Sequence, residues 1–195
     1  MATTLYRPNA AGDSTQLTAE PVGSNYTRVD EAVIDVDDYV EETTLDGITY
    51  DLDLYNLEPV TLTGSVVTIR VRATLARLFS PSGTAKLAIK TGGTIYYGTE
   101  ITNISVGVFT YSYNWNTNPK TGHSWTETEL SALQAGLAIK GLFSNDARCY
   151  QLWLEVVDLS DFNPIVPSLD TFQSLESIII ETQDSLSGVL TMEDS

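Results

Sequence analysis

Hydrophobic and polar residues alternate with a period of two over most of the chain between about residue 34 and residue 157, the signature of strands with one face buried. The clearest run is Val66 to Leu78. Val67, Ile69, Val71, Ala73 and Leu75 fall on one side, and Thr68, Arg70, Arg72 and Thr74 on the other. This spacing predicts a half-buried strand with a polar outer side. Tyr50, Leu52 and Leu54 alternate with Asp51, Asp53 and Tyr55, and Ala85, Leu87 and Ile89 with Lys86 and Lys90. Phe109, Tyr111, Tyr113 and Trp115 alternate with Thr110, Ser112 and Asn114, as a core face would. Tyr150, Leu152, Leu154 and Val156 alternate with Gln151, Trp153 and Glu155. Shorter strands are expected over Asp35–Glu42, Thr94–Gly98 and Ala138–Phe143.

Turn chemistry separates these runs at Asp46-Gly47, Pro81-Ser82-Gly83, Gly92-Gly93 and Asn118-Pro119 through Gly122. About eight strands with turns between them predict an all-β antiparallel sandwich or jelly roll. One short helix interrupts the pattern. Thr126 and Glu129 form a capping-box sequence, Leu130 and Leu133 supply an apolar face, and Gly136 is placed to end the helix. Residues 1–25 show no periodicity and read as an extended arm or lead-in strand before a sandwich over residues 26–160. In residues 161–195, hydrophobic residues recur at Phe172, Leu175, Ile179, Leu186 and Val189, with Thr182 filling the gap. That is the spacing of a coiled-coil seam, although Ile178-Ile179-Ile180 fits an added strand equally well. The segment reads as an arm for docking or oligomerisation, or as a tail packed on its own domain.

Charge adds a second level of organisation. The net charge is −16, and it is uneven. Residues 20–58 carry twelve acids and one base, residues 59–157 five acids and eight bases, and residues 158–195 eight acids and no base. Phosphate binding needs a basic surface, so nucleic acid is not an expected partner. The acidic ends suit docking on basic surfaces, within the protein or on a neighbour; solubility or adaptation to salt accounts for the same numbers. No apolar run approaches the roughly 18 residues of a membrane-spanning helix, and no membrane partner is expected. The N-terminus has neither the basic nor the apolar region of a secretory signal.

Chemistry-bearing motifs are sparse. Cys149 is the only cysteine and reads as a packing residue, and His123 the only histidine, in an exposed loop. Neighbouring acids such as Asp37 and Asp38 point to opposite faces of a strand and cannot act as a catalytic pair. Asp51 and Asp53 share a face, with a spacing suited to solvation or to structural Ca²⁺. No cofactor and no catalytic residue is expected. Trp153 is out of phase with the apolar set and is the best candidate for a protein contact or, paired with Tyr55, for a sugar-stacking strip.

Several stretches gain meaning as an ordered set. They are Tyr6-Arg7-Pro8-Asn9, Gly12-Asp13, Tyr26 with Val29-Asp30-Glu31, and Asp37-Asp38-Tyr39-Val40. Asp53-Leu54-Tyr55, Ile89 through Thr94 and Tyr96-Tyr97-Gly98 follow. The series closes with Asn118-Pro119, Thr121-Gly122, Trp125-Thr126, Leu133 through Gly136 and Ala147-Arg148-Cys149. Together they resemble a family of mostly uncharacterised structural proteins of tailed phages and prophages with a concanavalin-like jelly roll. The resemblance covers roughly residues 5–157 and leaves the C-terminal segment outside it. It implies a non-enzymatic place in a virion, as capsid decoration, a head or tail spike, or a tail-tip component. The implied partners are other virion proteins and further copies of the chain, with a surface glycan as the alternative. In typical members the first acidic strand is a run of Asp followed by Thr; here Val36 and Tyr39 interrupt it.

Overall fold

Ile69, Val71, Ala73 and Leu75 are fully buried, while Arg70 and Arg72, one residue out of phase with them, reach the surface. The alternation in Val66–Ala76 is therefore that of a strand with one face in the core. The structure, a computed structural model, describes residues 1–159 apart from 63, 79–82, 103 and 143–146. They belong to the unit Met1–Asp161; the second unit, Phe162–Ser195, lies outside the described residues.

In chain order the strands are β1 (Ala2–Tyr6), β2 (Pro8–Thr15), β3 (Thr18–Glu20), β4 (Tyr39–Glu41), β5 (Asp51–Leu57) and β6 (Val66–Ala76). They continue with β7 (Thr84–Thr91), β8 (Thr94–Tyr97), β9 (Phe109–Trp115), β10 (Gln134–Lys140) and β11 (Arg148–Asp158). A 3₁₀ turn covers Asn25–Arg28, and the helix α1 covers Glu127–Ser131. One sheet has the order β3-β4-β11-β6-β9, with β1 also paired to β11; the other has the order β2-β5-β10-β7-β8. All pairings are antiparallel.

From β4 onward the chain crosses between the sheets at every connection except the β7–β8 hairpin. This is the connectivity of an eight-stranded jelly roll, as the turn spacing predicts. The strands' inner faces meet in one core built from residues such as Ile69, Val71, Leu87, Ile89, Leu137, Ile139, Leu152 and Leu154. A bulge between Cys149 and Gln151 lets both Cys149 and Leu152 face this core. Tyr150 instead joins Tyr39 and Ala76 in a smaller cluster.

Several sequence-based expectations change, among them the strand expected over Ala138–Phe143, which runs over Gln134–Lys140 instead. Of the two readings of residues 1–25, arm or lead-in strand, the segment takes the strand form, in three pieces: β1 and β3 extend the first sheet and β2 extends the second. Short polar strands such as Pro8–Thr15 lack hydrophobic alternation because each lies at an edge, with little of its surface in the core. The strand expected over Asp35–Glu42 contracts to Tyr39–Glu41, where Val40 is the buried residue. Gly136 does not end the helix. Ala132 caps α1, and Gly136 sits inside β10. The capping box itself forms, with Thr126 Oγ1 accepting from the Glu129 amide at 3.3 Å and Glu129 Oε2 from the Thr126 amide at 2.9 Å. It orients Leu130 and Leu133 into one end of the core.

Candidate binding surface

β5 carries alternating acids and aliphatics, and its orientation is the reverse of the hydrophobic expectation. Asp51, Asp53 and Tyr55 face the interior, and Leu52 and Leu54 join Ala88 and Ala138 in a separate cluster on the outer side of that sheet. The inward acids are neither solvated nor aimed at a cation. Asp53 Oδ1 accepts from the amides of Gln16 at 2.6 Å and Leu17 at 2.9 Å, and Oδ2 from Asn25 Nδ2 at 2.6 Å and Tyr55 OH at 2.9 Å. Asp51 Oδ2 accepts from the amides of Thr43 at 2.7 Å and Thr44 at 2.5 Å. Gln16 and Leu17 lie where the chain leaves β2 for β3, and Thr43 and Thr44 where it leaves β4 for β5. A chain switching sheets leaves amides without ladder partners, and each aspartate supplies them.

These roles remove the sequence-predicted aromatic pair. Tyr55 is 1% exposed and points into the core, so it does not share a surface with Trp153. Burial, then the neighbouring Asp53, pushes its hydroxyl well above the usual tyrosine range.

Trp153 lies on the outer face of the other sheet and is partly exposed. Its cross-strand partner is Arg72, which in turn faces Ser112; the next row runs Leu5, Glu155, Arg70, Asn114. A third row places Gln151, Thr74 and Thr110 side by side, linked by contacts of 3.4 and 3.2 Å. Glu155 sits between two guanidiniums, with Arg70 Nη1 at 3.1 Å and Arg72 Nε at 2.6 Å, and its Oε1 is 3.5 Å from Trp153 Nε1. The result is a polar patch with one partly exposed indole, one largely buried carboxylate held by two arginines, and Gln151 and Thr74 buried beside it. One positive charge is left unbalanced among these groups. Such a surface suits stacking, planar hydrogen bonding and acidic or hydroxylated partners.

The opposite outer face holds Tyr50 between Lys86 and Lys140, whose ammonium groups lie 4.2 and 4.7 Å from the ring centre. Tyr50 OH donates to Glu100 Oε1 at 2.7 Å, and its hydroxyl is pushed up to about 12 by burial. Asp13 pairs with Lys90 across the same face. At one end of the sandwich a cleft of about 250 Å³ is lined by Thr91, Gly92, Asn118, Lys120, Glu129 and Ala132, among others. The Glu129 carboxylate there is occupied by the helix cap.

Cys149 is fully buried, with its thiol pushed up by burial, and His123 is exposed in its loop. Among the described residues no group of three or more His, Cys, Asp or Glu side chains is placed to hold a metal ion. Phe172, Leu175, Ile179 and Leu186 lie outside the described residues. Arg72, Arg70 and Glu155 were legible only as the polar half of two strands; that they meet depends on β6 and β11 being neighbours, which no local pattern encodes. No protein-family model and no curated protein matches the sequence.

Proposed function

We propose that this chain is a non-enzymatic structural protein of a tailed-virus particle, a capsid decoration or head/tail spike component that attaches through the Trp153 face. The observation that carries this reading is the face itself: Trp153 beside Arg72, with Arg70 and Glu155 locked in place and rows of Ser, Thr, Asn and Gln around them. Interfaces concentrate their binding energy in Trp, Tyr and Arg, and a rigid polar surround limits the entropy lost on docking. The virion setting rests on the ordered motif series of residues 5–157 and agrees with an eight-stranded jelly roll, an architecture used by capsid and lectin domains alike. Asp51 and Asp53 are bound to backbone amides and Glu155 to two arginines, which supports the non-enzymatic reading of these acids.

Immunogold labelling of particles of the virus that encodes the chain tests the setting; label at a defined head or tail position is expected, and unlabelled particles would sink it. The surface is tested by binding of the purified protein to particles lacking it. Trp153→Ala is expected to weaken binding at least about tenfold, the scale of an aromatic anchor. Unchanged binding would move the contact elsewhere. Because the same indole among hydroxyl and guanidinium donors also suits a sugar ring, a glycan array with wild type and Trp153→Ala tests the host-attachment alternative. Binding that Trp153→Ala abolishes would favour it.

A further inference from the structure

Between the 3₁₀ turn and β4, residues 30–38 form a loop held against β11. Glu31 O accepts from Arg7 Nη1 at 2.5 Å and from Gln151 Nε2 at 3.0 Å, and the preceding Val29 O accepts from the Leu152 amide at 2.8 Å. Within this loop the side chains of Glu31 and Asp38 come into hydrogen-bonding contact. Glu31 Oε2 and Asp38 Oδ1 are both shut off from solvent, and neither has a donor. Ionised carboxylates only accept hydrogen bonds, so two such oxygens in contact are satisfied by one proton placed between them.

We propose that the protonated Glu31 carboxyl donates to Asp38 and forms a latch that holds the 30–38 loop closed at mildly acidic pH and releases it as Glu31 loses that proton. The surroundings compensate for a second negative charge only in part: the Glu31 amide bonds its own carboxylate, and Nε of the Arg28 guanidinium that binds Asp38 is buried without a partner. Asp30 adds a like charge from the loop itself, and Glu58, just past the end of β5, acts on Asp30. Of the two nearby cations, Arg28 is already bound to the other oxygen of Asp38 at 3.2 Å, and Arg7 donates to the Glu31 carbonyl. From β11 the loop meets neutral Gln151 and the buried, neutral Cys149 thiol. Burial first, then the charges of Asp30 and Asp38, raise the Glu31 carboxyl from 4.5 to about 7.

The sign follows from linkage. The folded state holds a proton that the unfolded chain has already released, so this contribution is present below about pH 4.5 and is lost as pH rises through about 7. Release would free a loop that carries Val33, 80% exposed, and Val36, 54% exposed, between its acids. This inference does not depend on the virion reading.

Amide hydrogen exchange of the full chain, corrected for intrinsic rates and followed from pH 5.5 to 8.5, tests it. Protection of residues 30–38 in wild type is expected to fall about tenfold or more across neutral pH. In Glu31→Gln, whose amide donates to Asp38 without a proton, protection should stay flat. A wild-type profile without the drop, or a Glu31→Gln profile that keeps it, overturns the latch. Should the variant fail to fold, a ¹³C carboxyl titration of wild-type Glu31 still decides. A midpoint near 7 supports the protonated Glu31 donor, and one near 4.5 overturns it. Recovery of protection at pH 8 on adding Ca²⁺ would overturn it too, as the mark of a cation site.

Discussion

Asp53 is completely buried and accepts four hydrogen bonds, two from backbone amides at a sheet-to-sheet crossing and two from the side chains of Asn25 and Tyr55. Burying a carboxyl group in that position is tolerated because its oxygens meet four donors. Replacing it by Ala orphans those donors in a dry site. At about 1–3 kcal/mol for each buried group left unpaired, Asp53→Ala should cost at least about 3 kcal/mol, measured by chemical denaturation. A loss under about 1 kcal/mol would mean that water replaces the carboxylate and that the clamp is weak. At this scale the sequence was half legible. The shared face of Asp51 and Asp53 is evident from their spacing, but its direction is not. Solvation is the ordinary fate of surface-strand acids, and only the crossing amides reverse it, those of Gln16 and Leu17 from far along the chain and those of Thr43 and Thr44 from the preceding connection.

Element by element, what could be read depended on whether one face of a strand dominates its energetics. β6 is unambiguous because its apolar side is continuous from Ile69 to Leu75 and all of it is buried. β5 carries a credible face on either side, so periodicity alone could not orient it. The outward Leu54 is nevertheless 1% exposed, and β2 explains this. The β2–β5 register breaks between Ala11 and Thr15, and the intervening segment passes close over the Leu54 carbonyl, where a Cβ on Gly12 would approach to 2.5 Å. Ser14 Oγ and Gln16 Oε1 then bond the Leu52 carbonyl and amide, each at 2.8 Å, continuing the ladder with side chains. Gly12→Val should therefore lift β2 from β5 at a cost of about 1–3 kcal/mol, the range of overpacked sites, and raise amide exchange in β5 more than in β6. Uniform exchange, or unchanged stability, would show that the bulge is free to move. β9 marks the opposite limit: its aromatic stripe does turn toward the core, yet Phe109 is 55% exposed while Trp115 is 7% exposed, because β9 is an edge strand of its sheet.

Among the described residues, the acidic block of residues 20–58 and the basic block of residues 59–157 do not survive as blocks in space. Within residues 20–58, Asp51, Asp53 and Glu42 are internal, and Asp38 and Glu41 pair with Arg28 and Arg148, which leaves Asp35, Asp37 and Asp46 among the exposed acids. The basic middle divides by sheet, with Arg70 and Arg72 on one outer face and Lys86, Lys90 and Lys140 along the other, each group tethered by acids. The N-terminal residues bind this arrangement together, since β1 and β3 lie in one sheet and β2 in the other, and Tyr6, Leu17 and Ala19 are buried. Two truncations separate the roles of the ends. A chain ending at Asp161 keeps all eleven described strands, and its melting temperature should stay within a few degrees of that of the full chain. Removing residues 1–20 takes away β1, β2 and β3 and strips Asp53 of both amide donors, so the melting temperature should fall by on the order of 10 °C or more, if a cooperative transition remains at all. The opposite ranking, with the C-terminal truncation the more damaging, would place part of the stabilising structure in residues 162–195 and would contradict a jelly roll closed by its own N-terminus.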